Sequence, residues 1–324
     1  MAHESESDRD ARDRCAVEPM DPQIRCIQPG SGVCFRIELL WGHLRRAILK
    51  ACFPGYVRRM AACRQGEPVG CPHEVLDPRD LKFYENITGR LWRPEDDPFQ
   101  WRDQLPFARE GLAELVLMGG GLLALGAVLA LAWNFWIGLP ALVLGLFVFS
   151  FFRNPRRVPP VDPHVLVSPA DGKIVTIERI EHDEFVGGPA VLVGIFLSVF
   201  NVHINRVPNH VRVIGLTYRP GKFLNALLPR SAQENERLEL RLEDHEDPRR
   251  RYRVRQIAGA IARRIVCRAA PGNDYARGQS FGMIKLGSRT ELVIPDLPNL
   301  TLEVRVGDHV KAGSTKVARY VTPS

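Results

Sequence analysis

Four short stretches carry residue types that can make and break bonds. The first is "KLGSRTELVIP" (285–295), where Gly287-Ser288 interrupts an alternating strand pattern. Glycine in a strand interior normally weakens it and often marks a bulge or a close backbone approach, and the serine after it adds a hydroxyl. The second is "NVHINRVP" (201–208). Its His203 brings an imidazole, a group whose ordinary pKa lies near neutrality, and Arg206 brings a guanidinium. The third, "VSPADGKIV" (167–175), offers Asp171 as a carboxylate, and the fourth, "YRPGKFLNA" (218–226), offers Lys222 in a turn. Each has a plain structural reading when taken alone. Asp-Gly is an ordinary turn signal, a strand histidine is more often structural than catalytic, and a turn lysine is uninformative.

The elements that must position these residues are mainly β. From residue 158 onward "KIVTIERI", "AVLVGIFLSVF", "HVRVIGLTYR", "RRYRVRQI", "AIARRIVC", "ELVIP" and "LTLEVRV" are short, rich in Val and Ile, and punctuated by Gly, Pro or Asp. Before them, residues 115–152 ("LVLMGGGLLALGAVLALAWNFWIGLPALVLGLFVFSFF") contain no ionisable side chain. A membrane span needs roughly 20 apolar residues, so the run predicts a tight hairpin of two spans, with Trp133 and Trp136 near its turn. Basic residues flank it, "FRNPRR" directly after, which places both ends on the cytoplasmic side of a cell membrane. A buried globular core or a re-entrant loop is the competing reading. Further upstream "FRIELLWGHLRRAILKAC" has helical period, with Ile37, Leu40, Trp41, Leu44, Ile48 and Cys52 on one face. Such a helix, near 35–53, suits an anionic membrane surface or the protein's own core equally well. The Pro-, Asp- and Trp-rich stretch 66–110 reads as irregular and locally packed, and "MAHESESDRDARDRC" as disordered rather than as a secretory signal.

Composition sets bounds. The 324 residues are 45% hydrophobic and 25% charged, as in a globular protein, and the net charge of +7 favours an anionic partner. The apolar run turns that preference from nucleic acid towards a membrane. Six of the seven cysteines lie in the first 71 residues without a CxxC spacing, so free thiols in a reducing compartment are expected. Cys63, Cys71 and His73 could contribute to a metal site, but no fourth ligand is evident, and no metal is expected.

In this order and spacing the motifs resemble phosphatidylserine decarboxylase, in its short, membrane-anchored branch. The resemblance runs from "FFRNPRRVPP" through "VSPADGKIV", "NVHINRVP", "PGKFLNA", "NER" and "FGMIKLGS" to "VGDHVKAG", about residues 140–324. It implies a pyruvoyl enzyme without pyridoxal phosphate. Ser288 would attack the Gly287 carbonyl, converting the peptide to an ester. Elimination would release a β chain, 1–287, and the new head of an α chain, 288–324, would become pyruvoyl. That carbonyl would form a Schiff base with the serine headgroup and accept the electrons left by CO₂, giving phosphatidylethanolamine. By motif match Asp171 and His203 are the acid–base residues, with the carboxylate able to orient the imidazole. The longer bacterial branch has a second histidine where this chain has Arg206, so either His203 does both jobs or another group assists. Arg206 is instead a candidate to hold the substrate phosphate or carboxylate, since a guanidinium fork suits both, and Lys222 and Asn225 are further substrate-binding candidates.

The expected organisation is therefore α+β: an N-terminal extension (1–110), a transmembrane helical hairpin (111–153), and a mainly β decarboxylase domain with barrel-sandwich-like elements (154–324). The expected partners are a membrane phospholipid and the chain's own two cleaved fragments, with no nucleic acid. Two rivals remain at this level. "VRVGDHVKAGSTKVARY" is similar to the hairpin of biotinyl and lipoyl domains, with Lys285 as the modified residue, but there the turn precedes the lysine and here it follows. The second rival is an inactive scaffold of the same fold.

Overall fold

The computed structural model describes residues 14–228, 230–260, 264–285 and 288–321. Gly287, and most of the N-terminal stretch expected to be disordered, lie outside them. The chain divides into two compact units, residues 1–30 with 157–324, and residues 31–156.

The first unit is mostly β and forms a curled half-barrel, so the protein is α+β with its β structure in the C-terminal part. The large sheet has the order β13-β2-β3-β11-β7-β6-β5-β9. Its members are β2 (Gly172–Asp183), β3 (Gly188–Leu197), β5 (Val211–Arg219), β6 (Arg237–Asp244), β7 (Arg251–Ile257), β9 (Asp274–Tyr275), β11 (Ser288–Pro295) and β13 (His309–Val310). Two three-stranded sheets complete the unit. One is β1 (Val165–Val167), β14 (Lys316–Tyr320) and β12 (Leu300–Leu302); the other is β4 (Ile204–Arg206), β10 (Ser280–Lys285) and β8 (Arg264–Cys267). β2 changes register between Ile174 and Thr176 and again between Ile180 and Asp183, irregularities of the kind that bend a strand and let a sheet curl.

The period of two sorts the side chains of the large sheet. Leu292 and Ile294 of β11, Tyr252 and Val254 of β7, and Leu238, Leu240 and Leu242 of β6 point into one core with Ile195 and Leu197 of β3. The opposite face carries charge. Arg289, Glu291, Arg255 and Glu239 form a ladder across β11, β7 and β6, with Arg253 bridging Glu239 and Asp183. Gly194 has no side chain because a Cβ there would lie 2.7 Å from an Arg289 guanidinium nitrogen. Residues 14–30 run as a strap over β5, β6 and β8. Glu18 N–H donates to the Ile214 carbonyl (2.8 Å), Tyr218 N–H to Asp21 (2.8 Å), and Cys267 N–H to the Ile27 carbonyl (2.8 Å).

The second unit is helical. α1 (Val33–Cys52) and α2 (Pro54–Ala62) pack on an irregular segment whose core is Met60, Val75, Leu81, Leu91 and Trp92. α1 is held by its polar side: Arg45 and Arg46 bond Asp80, and Glu38 bonds Lys82. The face predicted to be apolar points outward, with Leu40 71% and Trp41 57% exposed. A helix docked on its own core would bury that face, and the one seen here does not.

The apolar run forms a helical hairpin of α3 (Gly121–Ala132), entered through a π-helical stretch Leu115–Gly120, and α4 (Phe135–Phe151). Asn134 caps α4 by accepting from Trp136 N–H (2.9 Å). Glycines let the two helices touch. A Cβ on Gly138 would overlap the Gly126 carbonyl, and one on Gly126 would come 2.8 Å from Leu142 N, the close approach that small residues permit between apolar helices. By length and composition one continuous helical stretch, Arg109–Ala132, is long enough to cross a membrane, and Phe135–Phe151 is shorter.

Candidate active site

Ser288 opens β11 at a corner of the fold. β10 belongs to a small sheet and β11 to the middle of the large one, so the chain changes sheets between Lys285 and Ser288. Once there, Ser288 pairs with Leu197 and shares the inward face of β11 with Thr290, Leu292 and Ile294. It is fully buried, and among the described residues its Oγ has no hydrogen-bond partner. A buried hydroxyl without a partner costs roughly 1–3 kcal/mol, which a purely structural serine would not be expected to bear.

β4 lies across the interior from this corner and brings the histidine motif to it. β4 pairs with β10 (Met283↔Ile204, Gly282↔Asn205), and Ile284 N–H donates to the His203 carbonyl (3.1 Å). Asn205 reaches the large sheet: its Nδ2 donates to Thr290 Oγ1 (3.0 Å), and its Oδ1 accepts from Gln256 Nε2 (2.9 Å). Through that bond the strand that follows His203 is tied to the strand that Ser288 opens. His203 is fully buried, and its Nδ1 lies 2.9 Å from the Asn201 carbonyl. Facing a carbonyl oxygen, Nδ1 is the donor in that contact.

Asp171 sits in the turn entering β2. One carboxylate oxygen accepts from Arg157 (2.7 Å) and the other from Ala312 N–H (2.7 Å). Gly172 follows because the chain passes against the Phe196 carbonyl, where a Cβ would overlap it. Arg206 ends β4 and donates to the Gly278 carbonyl (2.9 Å). Burial lowers its pKa, nearby Arg157 lowers it further, and Asp171 acts in the opposite sense. Asp171, Arg157 and Arg206 therefore form one electrostatic cluster. Arg157 went unmarked in the sequence because "FRNPRR" reads as a basic flank of the apolar run.

Lys222 and Asn225 hold a loop. Lys222 is 70% exposed and pairs with Glu234 (2.8 Å), while Asn225 Oδ1 accepts from Leu227 N–H (3.1 Å). The loop's backbone joins Lys222 to Glu236, whose N–H donates to the Lys222 carbonyl (3.0 Å).

Glu236 itself is the group that sequence reasoning missed. Arg289 stands opposite Ile257, and Ile257 opposite Arg237. One position beyond, the interior row reads Leu197, Ser288, Ala258, Glu236, its last pair joined by Ala258 N–H to the Glu236 carbonyl (2.9 Å). Two strand spacings, about 10 Å, separate Ser288 from Glu236 across a single alanine. The carboxyl is buried and its Oε1 has no partner; Gly30 of the strap covers it, since a Cβ there would come 2.9 Å from that oxygen. Burial pushes its pKa up to about 7, against a hydrogen bond from Tyr218 that lowers it. The only sequence signal was the "NER" triplet.

All seven cysteines are free thiols. Cys71 Sγ lies 3.6 Å from His73 Nδ1, and among the described residues no group of three or more His, Cys, Asp or Glu side chains could hold a metal ion.

Ser288 and His203 are thus fully buried in the β unit, and Asp171 is anchored in the turn that enters β2. The phosphatidylserine decarboxylase family model matches residues 144–318. A Rhodopirellula baltica protein named phosphatidylserine decarboxylase proenzyme is 50% identical over 241 residues, covering 74% of this chain and 99% of the relative. Proteins of the same name from Carboxydothermus hydrogenoformans (42% over 220 residues, 67% of this chain and 98% of the relative) and Nitratidesulfovibrio vulgaris (44% over 178 residues, 55% and 80%) are also similar. The chain belongs to the phosphatidylserine decarboxylase family, and it is a decarboxylase. The carrier and scaffold readings fall away.

Proposed function

We propose that this chain is made as a proenzyme, cleaves itself between Gly287 and Ser288, and then converts phosphatidylserine to phosphatidylethanolamine and CO₂. The observation that carries the reading is the buried, unpartnered Ser288 hydroxyl at a sheet-changing corner, within a chain of this family. In the first step Ser288 Oγ bonds to the Gly287 carbonyl carbon while the peptide C–N bond breaks. The hydroxyl proton leaves to a base, and the peptide nitrogen gains one. This reading gives the transfer to His203, an imidazole whose ring is oriented by its Nδ1 contact with the Asn201 carbonyl. Position 288 fits a pyruvoyl group, since it already lies buried at the end of a paired strand with its side-chain oxygen unbonded. When formed there, that group supplies a carbonyl for the substrate amine and a sink for the electron pair that CO₂ leaves behind.

The chain's own groups do the rest. Arg157 and the Ala312 N–H fix Asp171, and this reading gives Arg206 the substrate carboxylate or phosphate, because a guanidinium suits either. The apolar hairpin holds the enzyme in the membrane with its decarboxylase domain on the cytoplasmic side, so that the site meets a headgroup whose tails stay in the bilayer. Lys222 and Asn225, on the loop that pairs with Glu234 and Glu236, remain substrate-binding candidates in this reading.

Intact mass and a denaturing gel of the purified protein test the proposal. The expected result is two fragments, 1–287 and 288–324, the smaller with a blocked N-terminus, and release of CO₂ from carboxyl-labelled phosphatidylserine that is lost in Ser288→Ala. A single 324-residue species that still decarboxylates would overturn it.

A further inference from the structure

The helical unit contains a cavity of about 690 Å³ whose lining is basic in one part and apolar in another. Arg45, Arg46, Arg79, Lys82, Arg102 and Arg109 supply the cations, and Leu112, Leu115 and Val116 supply apolar wall. Most of the charge is already matched. Arg45 bonds Asp80, Arg79 bonds Asp77 (2.5 Å), and Arg109 bonds Asp103 (3.0 Å). Arg102 is different. It is half-buried, and among the described residues no carboxylate pairs with it. Its guanidinium rests on the rings of Phe99 (4.8 Å) and Trp101 (5.7 Å), and the Arg79 guanidinium lies over the same Phe99 ring at 4.2 Å. Burial first, then repulsion from Arg79, Arg109 and Arg45, lowers its pKa. Three neighbouring cations and partial desolvation cost energy that an anion between the guanidiniums would recover.

The apolar wall indicates which anion. Leu115 and Val116 belong to the stretch Arg109–Ala132, the one long and apolar enough to cross a membrane, and Val116 and Leu117 are more than half exposed. A free inorganic anion would use only the basic part of the cavity. A molecule with an anionic head and hydrocarbon tails would use both.

We infer that this cavity is a binding site for an anionic glycerophospholipid, its phosphate on Arg102 and its acyl chains against Leu112, Leu115 and Val116. The site lies wholly within residues 31–156, entirely outside the family match at 144–318, and does not depend on the decarboxylase mechanism.

The test is calorimetric titration of the full-length Ser288→Ala protein in nonionic detergent. The probe is dihexanoyl phosphatidylglycerol, which has no amine to react, with dihexanoyl phosphatidylcholine and inorganic phosphate as the other arms. Phosphatidylglycerol should bind, phosphatidylcholine should bind at least tenfold more weakly, and phosphate alone should not compete at matched concentration. Arg102→Gln should weaken phosphatidylglycerol binding about tenfold or more, the scale of a charge-assisted hydrogen bond. Arg102→Lys, which keeps the cation and loses the fork, should fall between, and it carries the test if the glutamine variant fails to fold. Unchanged affinity in the folded variants, equal binding of the zwitterionic lipid, or phosphate binding as tightly as the lipid would each overturn the assignment.

Discussion

Replacing Glu236 by glutamine tests the interior row that joins Ser288 to the strap. The carboxyl is buried beside Gly30, with one oxygen unbonded, and burial raises its pKa from 4.5 to about 7. Between those values the native state holds a proton that the unfolded chain has lost. Stability from this group is therefore present below pH 4.5 and disappears as pH rises to about 7. At 1.36 kcal/mol per tenfold change in proton affinity the total is about 3 kcal/mol. Glutamine keeps the shape and the acceptor for Tyr218 but cannot ionise. Relative to the parent, Glu236→Gln should thus be nearly neutral at pH 5 and stabilising by about 2–3 kcal/mol at pH 8. For a domain of this size that is roughly 5–10 °C in melting temperature. Both proteins should carry Ser288→Ala, so that both are uncleaved, and thermal unfolding should be followed at pH 5, 6, 7 and 8. A melting-temperature difference that stays flat across this range, or glutamine destabilising at pH 8, would refute the burial argument.

Three further outcomes follow from the geometry. His203→Gln should leave the fold intact yet slow self-cleavage by 100-fold or more, the usual scale of a lost acid–base group, as read by the appearance of the 288–324 fragment over time. Asn205→Ala removes the partner of both Thr290 and Gln256 in a fully buried network, and should cost about 2 kcal/mol or more in denaturant unfolding while lowering the cleaved fraction. Gly172→Ala forces a Cβ into the Phe196 carbonyl beside Asp171, and should reduce both melting temperature and cleavage, whereas Gly187→Ala, in a turn with open space around it, should spare cleavage.

What could be read from the sequence was whatever has a local cause. The β pattern after residue 158 follows from alternation, and the hairpin from an uninterrupted apolar run with an Asn134 cap. Gly287-Ser288 stood out because it broke a pattern that both its flanks obeyed. Long-range causes left less trace. Nothing in the order of the residues says that β10 and β11 belong to different sheets, yet that change of sheet is what puts Ser288 at a corner. Arg157 looked like membrane-flanking charge because its partner, Asp171, is 14 residues on and held from the other side by Ala312.

Residues 14–30 show the same limit from the other direction. Gly215 lacks a side chain because Glu18 lies on it, and Gly30 lacks one because it lies against Glu236, so two glycines separated by 185 positions mark one docking path. Each looks like an ordinary turn or strand glycine where it stands. Only their shared dependence on the strap reveals that a segment outside the family match covers the acidic end of the reactive row. If that cover sets the Glu236 pKa, then Gly30→Ala, which pushes on the carboxyl, should move the pH dependence of stability while leaving Ser288 untouched. The pH-resolved unfolding experiment on the Ser288→Ala background measures that shift directly, and an unchanged profile would mean that the strap only packs.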